Sequence, residues 1–290
     1  MENYFEDYEA NKAINEIINI NKIKRISKNE AKKELLIGKG SQSIVFSGTY
    51  KNEDVAIKYL LNADWKSLAH ELVIVSCIRH QCLPLFYGFI YDNNSFALVF
   101  ERLYGVCLDQ INLNKLSEKT KINITKQLCF LLDCLHEKKI IHRDLKPENI
   151  IIDDDEKLYL IDYGISRVLT KDSYTETIAK GTIHYMAPEC FESTTDFDAG
   201  IVSKITTKVD VWGFGCIISF IFSGIIPWTV KNNVNDPSIL KSIKSKSAFP
   251  IPENILNPLI VNIIQMATKI DVDQRATMTQ IKEYLEKCDF

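Results

Sequence analysis

Residues 139–152 read KIIHRDLKPENIII. Five isoleucines flank a run of eight residues in which His142, Arg143, Asp144, Lys146, Glu148 and Asn149 are polar or charged. Pro147, in their midst, cannot continue a strand ladder. A chain that enters an apolar environment, stops for a charged loop and enters it again must supply each of those groups with a partner, because burying them alone is costly. The rest of the sequence suggests what those partners are.

The chain has 290 residues, 46% hydrophobic and 25% charged, which suits one large globular domain or two modest ones. A net charge of −3 gives no reason to expect nucleic acid as the main partner. Glu2, Glu6, Asp7 and Glu9 make the start acidic, the opposite of a secretory signal. Eight cysteines are scattered without a CxxC pair, as expected for reduced, mostly buried thiols in a cytoplasmic protein; nuclear entry stays open. Residues 211–230 carry no charge, a length that could cross a bilayer. Gly213, Gly215, Gly224 and Pro227 interrupt the run, so a fully buried helix is expected and a spanning helix is the weaker alternative.

Residues 1–33 are polar and rich in lysine and asparagine, with a helical pattern near 13–20; they are read as an N-terminal extension, either a flexible lead-in or a small appendage on the main domain. From Glu34 the pattern changes. Residues 35–50 read as strand, glycine turn, strand, and 54–60 as another strand. Leu68, Leu72, Val75 and Ile78 recur at helical spacing. Two more strands follow before residue 101. Beyond Gly105 helices dominate. Residues 117–138 form a long amphipathic pattern with Ser117 as N-cap and Glu118 in the first turn. DDDEKLYLIDYG reads as a hairpin with an acidic tip at 153–156. After Pro188 the pattern is helical to the end. The expected architecture is α+β: a small β-rich lobe with one helix (34–100), a hinge (101–106) and a larger α-helical lobe (107–288), with a ligand cleft between the lobes.

The individual motifs each have an ordinary reading. Gly38-Lys39-Gly40-Ser41-Gln42-Ser43-Ile44-Val45 could be a plain hairpin. Lys58, inside the apolar strand Val55-Ala56-Ile57-Lys58, could snorkel at a sheet edge. Asp162-Tyr163-Gly164 could be a turn, and Ala187-Pro188-Glu189 a loop before a helix. Their order and spacing carry more. Glycine loop, strand lysine, helix Glu71, HRDLKPEN, D-Y-G and A-P-E together resemble the eukaryotic protein-kinase family over residues 34–288. Thr182-x-x-Tyr185, Asp210-Val-Trp-Gly-Phe-Gly and Arg275 extend the resemblance.

That resemblance implies ATP and Mg²⁺ as cofactors and specific roles for the residues. The backbone around Gly38, Lys39 and Gly40 would cover the phosphates. Lys58, fixed by Glu71, would hold the α- and β-phosphates. Asn149 and Asp162 would bind Mg²⁺. Asp144 would accept the substrate's proton, Lys146 would steady the γ-phosphate, and Thr182 would support both. Ile37, Val45 and Ala56 would lie above the adenine and Ile151 below it. Phe100 falls at the gatekeeper position, and the backbones of Glu101 and Leu103 would form the hinge hydrogen bonds. Cys107 sits where related kinases react with covalent inhibitors. Asp210 would tie down the catalytic-loop backbone, and Glu189 with Arg275 would form a buried ion pair. His142 and Tyr163 would stack with Val75 and Phe86.

Three departures stand out: Ser43 in place of the third loop glycine, Tyr163 in place of phenylalanine, and a short Lys58–Glu71 spacing. None removes a charge that the chemistry needs. Lys146 after Asp-Leu, with Gly181-Thr182, is similar to serine/threonine kinases. The implied partners are protein substrates with Ser or Thr acceptors, and a second copy for autophosphorylation in trans. Arg143 beside Asp144 implies control by phosphate on segment 162–189, with Ser173, Tyr174, Thr175 and Thr177 as candidates. The competing readings are a catalytically silent pseudokinase scaffold and a small-molecule kinase.

Overall fold

The computed structural model describes residues 22–288 apart from 41–42, 62–64, 93–94, 163–165, 169–174, 178–182, 192–202, 230–238, 240–242, 244 and 246–247; for 65–70, 167–168, 175–177 and 203–204 it describes the backbone alone. Thr182, Tyr163, Gly164, Ser173 and Tyr174 therefore lie outside the described residues. The chain divides into two compact units, residues 1–105 with 161–164, and 106–160 with 165–290.

The first unit is an antiparallel sheet of β1 (Ala31–Lys39), β2 (Ser43–Tyr50), β3 (Glu53–Leu60), β4 (Phe86–Asp92) and β5 (Ser95–Glu101), in the order β1-β2-β3-β5-β4, with one helix, α1 (Trp65–Cys77). Tyr50 faces Glu53 across a two-residue turn in which Lys51 and Asn52 both have positive φ, 52° and 66°, the hairpin geometry that matches strand twist. Val55, Ile57, Ala97 and Val99 alternate inward into one apolar cluster, and Leu72, Phe89, Phe96 and Leu98 form another.

The stretch before β1 also belongs to this sheet. Arg25 bridges Phe89 in parallel register, with Ile26 N–H donating to Phe89 O at 2.8 Å and Phe89 N–H to Lys24 O at 3.0 Å. Ile26 joins the first cluster and Ile23 the second. Gly88, at φ 153°, makes room for the approach: a Cβ there would come within 2.2 Å of Lys24 O.

In the second unit, α2 (Glu118–Glu137) starts where Ser117 caps it, accepting from Thr120 N–H. A small sheet joins β6 (Val106–Cys107), β8 (Ile150–Ile152) and β9 (Leu158–Leu160); β7 (Ile140–Ile141) pairs with β10 (Arg167–Val168). The opening isoleucines are thus strands: Ile140, Ile141, Ile150 and Ile152 are buried. The expected hairpin is present, its tip held by Asp153 Oδ1 accepting from Asp155 and Lys157 N–H. One element was not anticipated. Thr175–Thr177 (β11) pairs antiparallel with Ser203–Ile205 (β12), a strand inside the region read as wholly helical. Such a pairing joins segments far apart in sequence, and no local periodicity announces it.

The uncharged run resolves into α3 (Lys208–Ser223), stopped by Gly224 at φ 73°. Nearly every side chain of α3 is buried. Gly215 lets α4 (Pro258–Ala267) approach, since a Cβ would meet Thr268 Cγ2 at 2.6 Å. Among the described residues no helix is long and apolar enough to cross a membrane. The last helix, α5 (Met278–Lys287), begins with a Thr277–Gln280 capping box and packs on α2, where Lys282 and Thr279 bond the buried Asp133.

Candidate active site

Lys58 projects from β3, paired in register with Val45 on one side and Leu98 on the other. Its Nζ lies 2.7 Å from Glu71 Oε1 on α1 and 2.9 Å from Asp162 Oδ1. Glu71 is buried and Lys58 largely so, whereas Asp162 is 44% exposed. Burial works against the ammonium, but Glu71 and then Asp162 outweigh it, and the Lys58 pKa stands above the ordinary lysine value. The site keeps a permanent cation between two carboxylates. Asp162 has φ 68°, a left-handed conformation that a non-glycine residue seldom adopts.

The glycine loop has an informative feature. A Cβ on Gly38 would meet only Val45, at 3.7–3.8 Å, and one on Gly40 only Ser43 O at 3.8 Å, both ordinary contacts. The chain's own packing does not demand glycine at either position, in contrast with Gly88 and Gly215. Lys39 faces Ile44 and Gly38 faces Val45 across the β1–β2 ladder. Ile37 is partly exposed, and Ala56 lies opposite Phe100 on β5. Phe100 packs against Phe86, their ring centroids 5.3 Å apart. Glu101 N–H donates to Leu85 O and Arg102 N–H to Asp54 O, so a donor offered by the 101–103 backbone comes from Leu103.

In the second unit, the partners that the charged loop required are present. Asp210, 1% exposed, accepts from His142 N–H and Arg143 N–H, both at 2.8 Å, and lies 3.1 Å from His136 Nε2. This fixes a loop in which Arg143 has φ 72°. Asp144 Oδ2 is 2.8 Å from Lys146 Nζ and accepts from Asn149 Nδ2 at 3.1 Å; Nδ2 also donates to Asp144 O at 2.8 Å. Both Asn149 contacts use the amide nitrogen, so the group left to offer a ligand is the carbonyl oxygen. Asp144 Oδ1 is buried and has no hydrogen-bond partner among the described residues. Ile151, on β8, pairs with Cys107 on β6.

Glu189 and Arg275 form the expected ion pair, bidentate at 2.6 and 3.0 Å, with the guanidinium 5.0 Å from the Trp212 ring centre. His136 was missed in the sequence. It lies six residues before His142, and only its place at the end of α2 brings it to Asp210.

Cys107 is half-buried, and its pKa is raised by burial first and then by Asp109 and Glu148. A raised thiol pKa means less thiolate at a given pH and slower attack on electrophiles. At pH 7.5 iodoacetamide should label Cys107 more slowly than it labels a free cysteine peptide, and the rate should still be climbing where the peptide has reached its plateau. Peptide mapping of the labelled protein checks this; a rate at or above the peptide's contradicts it.

Comparisons with known proteins bear on the family of the chain. The family model described as the protein kinase domain matches residues 31–285. The chain is similar to the serine/threonine-protein kinase BCK1/SLK1/SSP31 of Saccharomyces cerevisiae, at 31% identity over 92% of this chain and 19% of the relative. It is also similar to a probable myosin light chain kinase of Dictyostelium discoideum, at 30% identity over 84% of this chain and 63% of the relative. A third relative is the RGS domain-containing serine/threonine-protein kinase A of the same organism, at 29% identity over 98% of this chain and 25% of the relative. The chain thus spans 19–63% of the length of these relatives. A family match from β1 to α5, over a five-stranded sheet unit and a helical unit that carry the motifs in order, means that the chain belongs to the protein kinase family.

Proposed function

We propose that this chain is a serine/threonine protein kinase that transfers the γ-phosphoryl group of MgATP to hydroxyls of protein substrates. One observation carries the reading: Asp144 has one oxygen held by Lys146 and Asn149 while the other is buried without a partner among the described residues. An unsatisfied buried acceptor is costly. A substrate hydroxyl supplies the missing donor. It gives its hydrogen to Oδ1 as its oxygen bonds to the γ-phosphorus and the bond to the departing ADP oxygen breaks. Lys146 keeps the carboxylate aimed and offers its ammonium to the transferring group. Lys58, held charged, takes the α- and β-phosphates, with Glu71 fixing its position.

Gly38, Lys39 and Gly40 serve the phosphates through their backbone, which agrees with the lack of any packing reason for the two glycines. Ile37, Val45, Ala56 and Ile151 provide apolar surface for the adenine, Leu103 and Glu101 the hinge hydrogen bonds, and Phe100 a bulky limit beside them. Among the described residues no cluster of three or more His, Cys, Asp or Glu side chains could hold a metal alone. Mg²⁺ asks for less: one or two protein oxygens completed by phosphates and water. Asn149 and Asp162 offer such oxygens and would hold it. When bound, Mg²⁺ neutralises charge on the β- and γ-phosphates. Thr182 is assigned by resemblance alone.

The reading is tested with purified protein, MgATP and a basic serine/threonine substrate, beside an Asp144→Asn control. Incorporation that vanishes in the control supports it. Nucleotide binding without incorporation favours a scaffold.

Regulation follows from Arg143, a cation next to the catalytic carboxylate. A phosphate on Thr175 or Thr177, added in trans by a second copy, would pair with it. Thr175→Ala/Thr177→Ala should lower kcat about tenfold or more, the equivalent of one charge-assisted hydrogen bond. An unchanged kcat in the double variant would end this idea.

A further inference from the structure

The segment before β1 does more than extend the sheet. Its anchors are numerous for so short a stretch. Two main-chain hydrogen bonds join it to Phe89. Arg25 Nη2 donates to Tyr91 O at 3.2 Å, and its guanidinium stands 5.5 Å from the Tyr91 ring centre. Lys28 Nζ lies 3.1 Å from Asp92 Oδ2. Lys24 Nζ bonds Tyr50 Oη. Gly88 keeps open the space that the strap's carbonyl fills. The strap is therefore built into the sheet edge.

What it holds in place is the decisive point. Ile26 enters the cluster of Tyr50, Val55, Ile57 and Val99. Ile23 enters the other cluster, with Leu72, Phe89, Phe96 and Leu98. Leu72, fully buried, is the residue after Glu71 on α1. Well-packed side chains have little room to move independently. A shift of Leu72 would carry Glu71 with it and lengthen the 2.7 Å contact to Lys58.

We propose that Ile23 is a positioning residue: the strap of residues 22–30 wedges α1 through Leu72 and so sets the Glu71–Lys58 pair for nucleotide binding. This rests on the kinase reading for its functional consequence, but not for its structural one. Ile26, on the same strap, does not share that cluster and gives an internal control.

Two measurements on the full chain test it. The first is amide hydrogen exchange of α1 relative to β3 and β5, in the parent and in Ile23→Ala, Ile23→Val and Ile26→Ala. We expect Ile23→Ala to speed exchange in α1 about tenfold more than in the strands, an effect of the size expected for local opening. Ile23→Val should restore the parent pattern, and Ile26→Ala, whose cluster holds strand residues and none of α1, should speed exchange in the strands at least as much as in α1. The second is a kinetic cycle. Ile23→Ala should raise KM for ATP on the order of tenfold, the scale of a small misplacement far from the chemistry. In a Glu71→Gln background it should add less than about twofold, because coupled residues are not additive.

Equal acceleration of α1 and the strands in Ile23→Ala overturns the proposal. So does the same fold-change in KM with and without Glu71. If the parent transfers no phosphate, the kinase reading fails while the exchange pattern still decides whether the strap holds α1.

Discussion

Asp144→Asn should lower the rate of phosphate incorporation by about 10²- to 10⁴-fold, the range for loss of a positioned general base. Folding should be unaffected. An amide oxygen at this position can still accept from Lys146 and Asn149, whose contacts converge on Oδ2. What is lost is the basicity of Oδ1, which has no partner among the described residues. Nucleotide affinity should change little, because Lys58, Glu71 and the glycine loop are untouched. The comparison is made by single-turnover kinetics, with nucleotide binding measured separately. Incorporation within threefold of the parent would falsify the assignment of Asp144 and leave the buried oxygen unexplained.

The largest stability effect should come from Arg275→Ala. Arg275 is 1% exposed and its guanidinium bonds both oxygens of Glu189, Lys208 O and Lys269 O. Its plane also faces Trp212, the largest fully buried side chain among the described residues. Truncation strands Glu189 and two carbonyls together. Breaking a buried pair from one side costs about 3–5 kcal/mol, against a total stability of about 5–15 kcal/mol. The denaturation midpoint should fall by about 10 °C for a domain of this size. Arg275→Lys should recover little, because an ammonium cannot reproduce the planar fork. Thermal and urea denaturation of the three proteins check this. A loss below 1 kcal/mol for Arg275→Ala would mean that the pair is ornamental.

The parts of this molecule that sequence made legible are those where a local rule and a chemical need coincide. Ser117 before an amphipathic run announced α2, and the acidic cluster at 153–156 between apolar pairs announced a hairpin. Lys58 in an apolar strand had an ordinary reading as a snorkelling lysine, and only the family resemblance gave it Glu71 as its partner, which the 2.7 Å contact matches. Glu189 and Arg275 were paired through family resemblance, and the geometry bears that out. The strap was not legible. Ile23 and Ile26 are three apart, a spacing that reads as weak helix, yet they point into two clusters because the segment pairs with Phe89, more than sixty residues on. The β11–β12 ladder and the His136–Asp210 contact escaped for the same reason: each is made by tertiary placement, and propensity does not see it. The uncharged run of 211–230 was read as a fully buried helix from the glycines and proline that punctuate it, and α3, ending at Gly224, bears that out.

The strap also has a consequence for solubility. A sheet of this kind has two open edges, and an open edge invites pairing with another chain. At β1 the edge is guarded by charge and irregularity: Lys32, Lys33 and Glu34 lie beside the exposed Leu35 and Leu36, and the ladder is broken at Lys33/Leu36 and again at Leu36/Gly38. At β4 residues 24–26 occupy the edge instead. A chain trimmed to start at residue 31, where the family match begins, would keep every catalytic motif. It would also uncover Phe89 N–H and C=O and the apolar ground beneath Ile23 and Ile26. The trimmed domain would present a sticky, unfinished border, and its tendency would be to assemble with copies of itself.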